Sequence, residues 1–260
     1  MMVLLTNDDG YQADGLRALT EAFTAAEDFS PYVVAPDRER SATSHAITMH
    51  KPLIVNEHCK EGCATWVVSG TPADCVKLAV EALLPEKPAL VISGINRGAN
   101  LGNDILYSGT VSAAIEGTLL SIPSVAISLC SRDAGDFSVA AAFGVRLARL
   151  VVANGLPPST LLNVNVPGIP ADRIKGVRVT FLGTRRYQNV FDRRVDPRGR
   201  VYYWMAGDAC DEEESEDTDV TATLCGYISL TPVKIDLTAR DFMEELRHWN
   251  LNPNEGVKDG

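Results

Sequence analysis

Two adjacent acidic residues, Asp8 and Asp9, follow a short apolar run near the start of the chain and precede Gly10. Along a continuing strand, neighbouring side chains point to opposite faces, so these carboxylates converge only if the chain turns at once, which Gly10 permits. Converging carboxylates repel each other and are stabilised by a hard divalent cation. The segment therefore predicts a metal site. The alternative is a solvated turn in which the Asn and Asp side chains bond the backbone.

A long polar loop is expected after the next apolar run. It spans residues 35–45 and contains Ser41, Ser44 and His45. Loops at the carboxyl ends of parallel strands often carry contacts to ligands. The Ser44-His45 pair does not indicate nucleophilic catalysis, because no nucleophile-elbow sequence surrounds the serine. We expect His45 to support the loop or to contact substrate.

A glycine-rich loop and the start of a helix form the third candidate segment. Residues 94–102 contain three glycines and two asparagines, one of which is Asn96. Ser108-Gly109-Thr110 then opens a helix, where backbone amides, hydroxyls and the positive end of the helix dipole suit a phosphate. Simple helix capping is the alternative for this tripeptide. Together with the two carboxylates, these segments favour a site that binds a metal and a phosphate.

Predicted strands and helices must bring these segments to one edge of a sheet. Six short apolar runs predict buried strands: Val3–Thr6, Tyr32–Ala35, Thr65–Val68, Leu90–Ser93, Val125–Ser128 and Leu161–Val166. Helices are predicted from Asp14, from Thr71-Pro72 through Leu84, over Thr110–Leu120, and around Phe143–Val151. This alternation predicts a Rossmann-like, doubly wound three-layer α/β sandwich, with residues 1–166 as the catalytic core.

The remaining residues, 167–260, predict a C-terminal extension rather than an independent domain. Runs at Val177–Leu182 and Val201–Met205 are typical of strands and bracket an arginine-rich segment. Residues 173–200 contain nine basic and two acidic residues, a local charge of +7. We interpret this region as a protruding hairpin. A long hairpin buries itself poorly alone, so we expect it to contact a partner subunit.

The end of the extension is predicted to return to the core. Residues 208–219 contain eight acidic residues and no basic one, which indicates a solvated loop. A strand at Tyr227–Thr231 follows, and then a terminal helix that begins near Thr238.

Composition excludes several classes of protein. The 260 residues are 45% apolar, which excludes wholesale disorder, and no run reaches the roughly 18 apolar residues of a membrane helix. The net charge of −10 disfavours DNA binding. The chain contains no P-loop, no dinucleotide-binding glycine motif and no zinc-like cysteine spacing. Because no signal-like segment is evident, we expect a cytoplasmic protein without a membrane partner.

Five ordered motifs resemble those of the stationary-phase survival protein E (SurE) nucleotidases over nearly the whole chain. They are Thr-Asn-Asp-Asp-Gly at 6–10, Ala-Pro-Asp-Arg-Glu-Arg-Ser-Ala at 35–42, Gly-Thr-Pro-Ala-Asp-Cys at 70–75, Ser-Gly-Ile-Asn-Arg-Gly-Ala-Asn at 93–100 and Ser-Gly-Thr-Val-Ser at 108–112. The resemblance implies that one Mg²⁺ or Mn²⁺ per subunit is held by Asp8, Asp9, Ser41 and Asn96. It further implies that the substrate phosphate is bound by Asn96, Ser108, Gly109 and Thr110, and that the catalytic residues are Asp8, Asp9 and Asn96.

The expected function is a metal-dependent phosphomonoesterase. The resemblance implies that it hydrolyses nucleoside 5′- and 3′-monophosphates to nucleoside and phosphate, and that it also has a short-chain exopolyphosphatase activity. The resemblance also implies a homodimer or homotetramer that assembles through the C-terminal hairpin and tail. The alternative is a non-catalytic nucleotide-binding regulator that uses the same pocket. Which of the two aspartates acts as base or nucleophile stays open.

Overall fold

The computed structural model describes residues 1–60, 63–131, 135–188, 190–205, 207–209, 215–249 and 251. The strands are β1 (Met2–Thr6), β2 (Ser30–Pro36), β3 (Val55–Lys60), β4 (Cys63–Val68), β5 (Leu90–Arg97), β6 (Ser124–Cys130), β7 (Thr160–Pro167), β8 (Val177–Val179), β9 (Tyr187–Gln188), β10 (Phe191–Val195), β11 (Val201–Met205), β12 (Asp208–Ala209) and β13 (Ile228–Lys234). The helices are α1 (Asp14–Thr24), α2 (Pro72–Leu78), α3 (Gly109–Leu119), α4 (Ser138–Asn154), α5 (Asp219–Leu224) and α6 (Arg240–Arg247).

Nine of these strands form one sheet, in the order β3-β4-β2-β1-β5-β6-β7-β13-β8. The six strands from β4 to β7 in that order run parallel. β3 is antiparallel to β4 at one edge, and β13 is antiparallel to β7 towards the other. β8 pairs with β13 in parallel. The two strands from the C-terminal part of the chain therefore extend the sheet beside β7, while the division of the chain at residue 166 remains a proposal.

Helices cover both faces of the sheet, which confirms the predicted doubly wound α/β fold. Successive residues of β1 alternate between the two cores: Val3 and Leu5 pack with α1 and α4, whereas Leu4 packs with α2 and α3. All three are fully buried, and complete burial of such a side chain stabilises the fold by roughly 1.5–3 kcal/mol. Burial on both faces explains why β1 is a continuous apolar run.

The helix predicted from Thr71 to Leu84 forms in two parts. Thr71 accepts a hydrogen bond from the Asp74 N–H, and the Asp74 side chain accepts one from the Thr71 N–H, which makes a capping box before Pro72. The regular helix ends at Leu78, and a single π-helical turn, Ala79–Leu83, completes the predicted length.

The hairpin prediction is wrong in its strand pairing. β11 (Val201–Met205) pairs with β10 (Phe191–Val195), so these two strands form the hairpin. The run predicted at Val177–Leu182 supplies β8, which adds to the main sheet beside β13 instead. Alternating apolar residues indicate a strand but not its partner, which is decided by the tertiary fold.

The acidic segment 208–219 also differs from its prediction as a solvated loop. Residues 210–214 lie outside the described part of the chain. Asp219 is fully buried, opens α5 and accepts hydrogen bonds from the backbone N–H groups of Gly102 and Gly183, both at 2.8 Å. Within the described ranges, no helix has both the length and the apolar character needed to cross a bilayer.

Candidate active site

The candidate site lies where the strand order of the sheet changes direction. β1 pairs with β2 on one side and with β5 on the other. The chain therefore leaves β1 towards one side and later returns to the other side, which opens a crevice at the carboxyl ends of β1 and β5. Asp8 and Asp9 follow β1, and Asn96 is the next-to-last residue of β5. The fold thus brings these three predicted residues to one edge.

The chain turns immediately after β1, as the convergence of Asp8 and Asp9 requires. Gly10 has a φ of 96°, a left-handed conformation that glycine adopts without strain. Its carbonyl accepts a hydrogen bond from the Asn7 side-chain amide at 2.9 Å. A Cβ at position 10 would lie 3.0 Å from the backbone carbon of Arg38, so the turn also packs closely on the loop after β2.

Asp8 contacts the start of α3. Its side chain is buried, and one carboxylate oxygen accepts a hydrogen bond from the Thr110 hydroxyl at 2.5 Å. A Cβ on Gly109 would lie 2.7 Å from the Cβ of Asp8, so only glycine allows the helix to approach this closely. The backbone carbonyl of Asp8 accepts a hydrogen bond from the Arg40 N–H at 2.7 Å. Asp8 therefore joins β1, the loop after β2 and the helix that was predicted to bind phosphate.

Asp9 joins β1 to the end of β5. Its carboxylate accepts a hydrogen bond from the backbone N–H of Arg97 at 3.1 Å. The neighbouring Asn96 is half-buried, and its amide donates to the Gly98 carbonyl at 2.9 Å. This bond uses the amide nitrogen of Asn96, and the amide oxygen remains a potential donor to a cation.

Ser41 follows Arg40 and is exposed in the loop after β2. Its hydroxyl donates a hydrogen bond to the Glu39 carboxylate at 2.6 Å. The sequence analysis did not single out Glu39. Its place two residues before Ser41 was the available signal, because a hydroxyl that binds a cation through its oxygen must direct its proton to another acceptor.

The predicted phosphate segment has a capping role as well as a contact with Asp8. The Ser108 side chain accepts a hydrogen bond from the Val111 N–H at 3.1 Å and so caps α3. Ser108, Gly109 and Thr110 are all buried. The capping alternative is therefore realised for the serine side chain. Apart from the Val111 N–H, the positive end of the helix dipole lies beside Asp8, whose pKa the Thr110 N–H also lowers.

Burial raises the pKa of Asp8 to about 6; the hydrogen bond from Thr110 opposes this shift, and the negative charge of Asp9 adds to it. Burial also raises the pKa of Asp9. The hydrogen bond from the Arg97 N–H opposes this shift, and the negative charge of Glu39 adds to it. Among the described residues, no basic side chain forms an ion pair with either carboxylate. Neither carboxylate is therefore neutralised by an ion pair, although the positive charge of Arg97 partly offsets that of Asp9. A divalent cation stabilises two acidic side chains in this environment.

The donor set fits a hard cation. No group of three or more His, Cys, Asp or Glu side chains that could hold a metal occurs in the described ranges. A cation held by Asp8 and Asp9 would take neutral oxygens, such as the Ser41 hydroxyl and the Asn96 amide, as its remaining protein ligands. Oxygen donors of this kind suit Mg²⁺ or Mn²⁺, which usually retain several waters.

A family model described as Survival protein SurE matches residues 3–189 of the chain. The chain belongs to the SurE family. Every candidate site residue lies within the matched region, which also contains β2 to β9 and all of β1 except Met2. The SurE resemblance inferred from the sequence motifs is confirmed.

Two SurE relatives and one solved structure illustrate the similarity. A 5′-nucleotidase SurE of Pelotomaculum thermopropionicum is 56% identical over 95% of this chain and 94% of its own length. One of Heliobacterium modesticaldum is 54% identical over 96% of this chain and 92% of its own length. The crystal structure of a SurE protein from Aquifex aeolicus is 41% identical, covers 95% of this chain and 98% of that chain, and aligns with a TM-score of 0.83.

Proposed function

We propose that this SurE family member is a 5′-nucleotidase that hydrolyses nucleoside monophosphates at the crevice between β1, β5 and α3. The names and high identity of its relatives support this activity. The observation that carries the proposal for the site is the Asp8–Asp9 pair, which lies against the start of α3 with both pKa values raised by burial. We extend the substrate class to 3′-monophosphates and short polyphosphates, because they present the same terminal phosphate.

We assign one Mg²⁺ or Mn²⁺ per subunit to Asp8, Asp9, Ser41 and Asn96. When bound, such a cation polarises a phosphoryl oxygen and lowers the pKa of a bound water. The carboxylate pair contributes the negative charge that the cation neutralises. Hydroxyl and amide oxygens are weak donors, so we expect the metal affinity to be modest.

The start of α3 is proposed to bind the substrate phosphate. The N–H groups of its first turn and the helix dipole stabilise negative charge on the phosphoryl oxygens that do not react. Thr110 keeps the Asp8 carboxylate in a fixed position through its hydroxyl, and the side chain of Asn96 borders the same crevice. In the reaction, the ester P–O bond breaks, a water oxygen joins phosphorus, and the departing sugar oxygen takes up a proton.

A non-catalytic nucleotide-binding regulator is the rival function, and it is not favoured. Relatives at 54% and 56% identity are named as nucleotidases over more than nine tenths of this chain. The rival would bind nucleotide in the same crevice without turnover, so an activity measurement separates the two.

The direct test is hydrolysis of AMP and of p-nitrophenyl phosphate by the purified full chain. We expect phosphate release with Mg²⁺ or Mn²⁺, loss of release with EDTA, and recovery when the metal is returned. Asp9→Asn should abolish most activity and weaken Mn²⁺ binding, whereas Asp28→Asn, at a surface ion pair with Arg149, serves as the matched control. Absence of turnover with every metal, despite nucleotide binding, would favour the rival.

We further propose that the chain forms a homodimer or homotetramer through the β10–β11 hairpin. Large apolar side chains along the hairpin are exposed, among them Phe191, Tyr203, Trp204 and Met205. An exposed apolar surface of this kind is typical of an interface. The cytoplasmic location and a role in stationary-phase survival remain predictions.

A further inference from the structure

His45 contacts a buried carboxylate in the middle of α3. Its Nε2 lies 2.9 Å from a carboxylate oxygen of Glu116, and Lys77 of α2 lies 3.2 Å from the other oxygen. Glu116 is only 4% exposed. The hydrogen bond from His45 holds the pKa of Glu116 below its usual range despite burial, with further support from Lys77. His45 therefore meets a charged acceptor inside the fold rather than solvent.

The loop between Ser41 and His45 has an unfavourable backbone conformation. Ala42 and Ser44 have φ values of 54° and 53°, in the left-handed region that residues with side chains rarely adopt. Such conformations persist only where surrounding contacts determine them, and they concentrate at functional sites. Contacts on the far side of these residues must therefore hold the loop in place.

The Ala46 carbonyl accepts a hydrogen bond from the Thr71 hydroxyl, just before α2, at 2.7 Å. Three other contacts reach α3 or the turn before it. The Ser44 N–H donates to the Tyr107 carbonyl at 3.1 Å, and the Ser44 hydroxyl donates to the Leu106 carbonyl at 2.7 Å. The His45–Glu116 bond adds a third contact two helical turns further along. The loop that carries Ser41 is thus attached to the same helix whose first turn contacts Asp8.

A second attachment lies further along the loop. Thr48 donates its backbone N–H and its hydroxyl to the two carboxylate oxygens of Asp74, at 2.9 and 2.6 Å. It anchors the loop to α2 and not to α3. Thr48 lies further along the chain from Ser41 than His45 does. Its bonds to Asp74 therefore provide a comparison, in which a contact of the same kind is made further from the candidate metal ligand.

We propose that His45 and Glu116 are positioning residues, whose contact holds the Ser41 loop against α3 and so positions Ser41, which follows the residue whose N–H bonds the Asp8 carbonyl. The inference rests on the proposed function, since it takes Ser41 as a ligand of the cation. Neither residue touches the metal or the substrate. Their effect on metal binding acts through the loop.

The test is Mn²⁺ binding by the purified full chain, measured from the electron paramagnetic resonance signal of free Mn²⁺, together with AMP hydrolysis across Mn²⁺ concentrations. His45→Ala removes the bond to Glu116. We expect its Kd for Mn²⁺ to rise by about tenfold, the size seen when residues that orient metal ligands are lost. Activity should then recover at high Mn²⁺. His45→Gln can still donate an amide N–H to Glu116 and should restore affinity to near the wild-type value.

Thr48→Val serves as the matched control, because it removes one loop hydrogen bond without releasing the loop from α3. It should lower the melting temperature and leave the Kd for Mn²⁺ unchanged. If His45→Ala does not fold, His45→Asn, whose amide is too short to reach Glu116, takes its place. Wild-type affinity in the variant that lacks the bond overturns the inference, and so does an equal loss in His45→Gln. A wild-type chain that binds no Mn²⁺ and releases no phosphate overturns the proposed function as well.

Discussion

Replacing Gly109 with alanine tests the close contact between α3 and Asp8. The added Cβ would lie 2.7 Å from the Cβ of Asp8 and 2.8 Å from one of its carboxylate oxygens. The atoms must separate by about 0.7 Å to reach ordinary contact, in an interior that is already close-packed. Asp8 is fixed by hydrogen bonds from Thr110 and Arg40, so neither side of the contact yields easily.

The expected cost follows from two opposing effects. Overpacking lowers the free energy of unfolding by about 1–3 kcal/mol. Replacing a helical glycine with alanine raises it by up to about 1 kcal/mol, because alanine has the higher helix propensity. A net loss of up to about 2 kcal/mol lowers the melting temperature of a chain of this size by up to about 8 °C. Because a displacement of about 1 Å at a reacting group costs about 100-fold, we expect kcat/KM for AMP to fall by about 10- to 100-fold.

Gly144→Ala provides the matched control on the opposite face of the sheet. It adds the same methyl group inside α4, where the nearest atom is the flexible end of Ile127 at 2.9 Å. We expect a small change in melting temperature and a kcat/KM within about twofold of wild type, because Gly144 lies away from the reacting groups. Phosphate release is measured with saturating Mg²⁺, well below both melting temperatures. A folded Gly109→Ala enzyme with wild-type kcat/KM would refute the role assigned to the Asp8–α3 contact.

Three further measurements bear on the same site and on the hairpin. Because the pKa of Asp8 is raised to about 6, protons should compete with the metal, and Mg²⁺ affinity should fall by about tenfold per pH unit below that value. Without metal, the same shift means that the folded state binds a proton more tightly than the unfolded state. The free energy of unfolding should therefore decrease as pH rises from about 4 to about 6. Asp8→Asn should weaken both effects in calorimetric titrations and leave the part that comes from Asp9, whose pKa is also raised by burial; a pH dependence as large as that of the wild type would contradict the assignment. Thr110→Val deletes a hydrogen bond to a charged group, worth about 10- to 150-fold in kcat/KM, and should raise the pKa of Asp8 further; a lower melting temperature with unchanged kinetics would mean that Thr110 only supports the helix. Phe191 and Met205 pair across the hairpin and so share one of its faces; replacing both with serine should shift the mass in light scattering from oligomer to monomer, and an unchanged mass would exclude this hairpin face from the interface.

The sheet core could be predicted from sequence because its strands are buried on both faces. β1 and the first residues of β5 are continuous apolar runs, whereas β7 alternates apolar residues with the buried Asn163 and Asn165. β1 and β7 lie within one residue of their predicted bounds, and β5 ends four residues later than predicted. β3 (Val55–Lys60) was missed. It is an antiparallel edge strand with mostly exposed side chains, so its sequence has neither the apolar run nor the clear alternation of a buried strand.

The positions of the site residues were predictable, and the contacts between them were not. Ends of parallel strands meet at one edge, so Asp8, Asp9 and Asn96 were expected to converge. The bond between His45 and Glu116 joins residues 71 positions apart. A single glutamate on a predicted helix looks like a solvated charge, because local pattern contains no information about which loop covers it.

Asp219 shows most clearly why charge composition fails for single residues. Eight acidic residues in a run of twelve indicate a solvated segment on average. The carboxylate of Asp219 instead accepts backbone N–H bonds from Gly102, before α3, and from Gly183, before the hairpin. Burial raises its pKa, and the three backbone hydrogen bonds, including one from Val220, oppose that shift. A buried carboxylate is tolerated only with such donors, and here they come from both parts of the chain. Asp219 therefore links the segment before the hairpin to the loop that leads into α3.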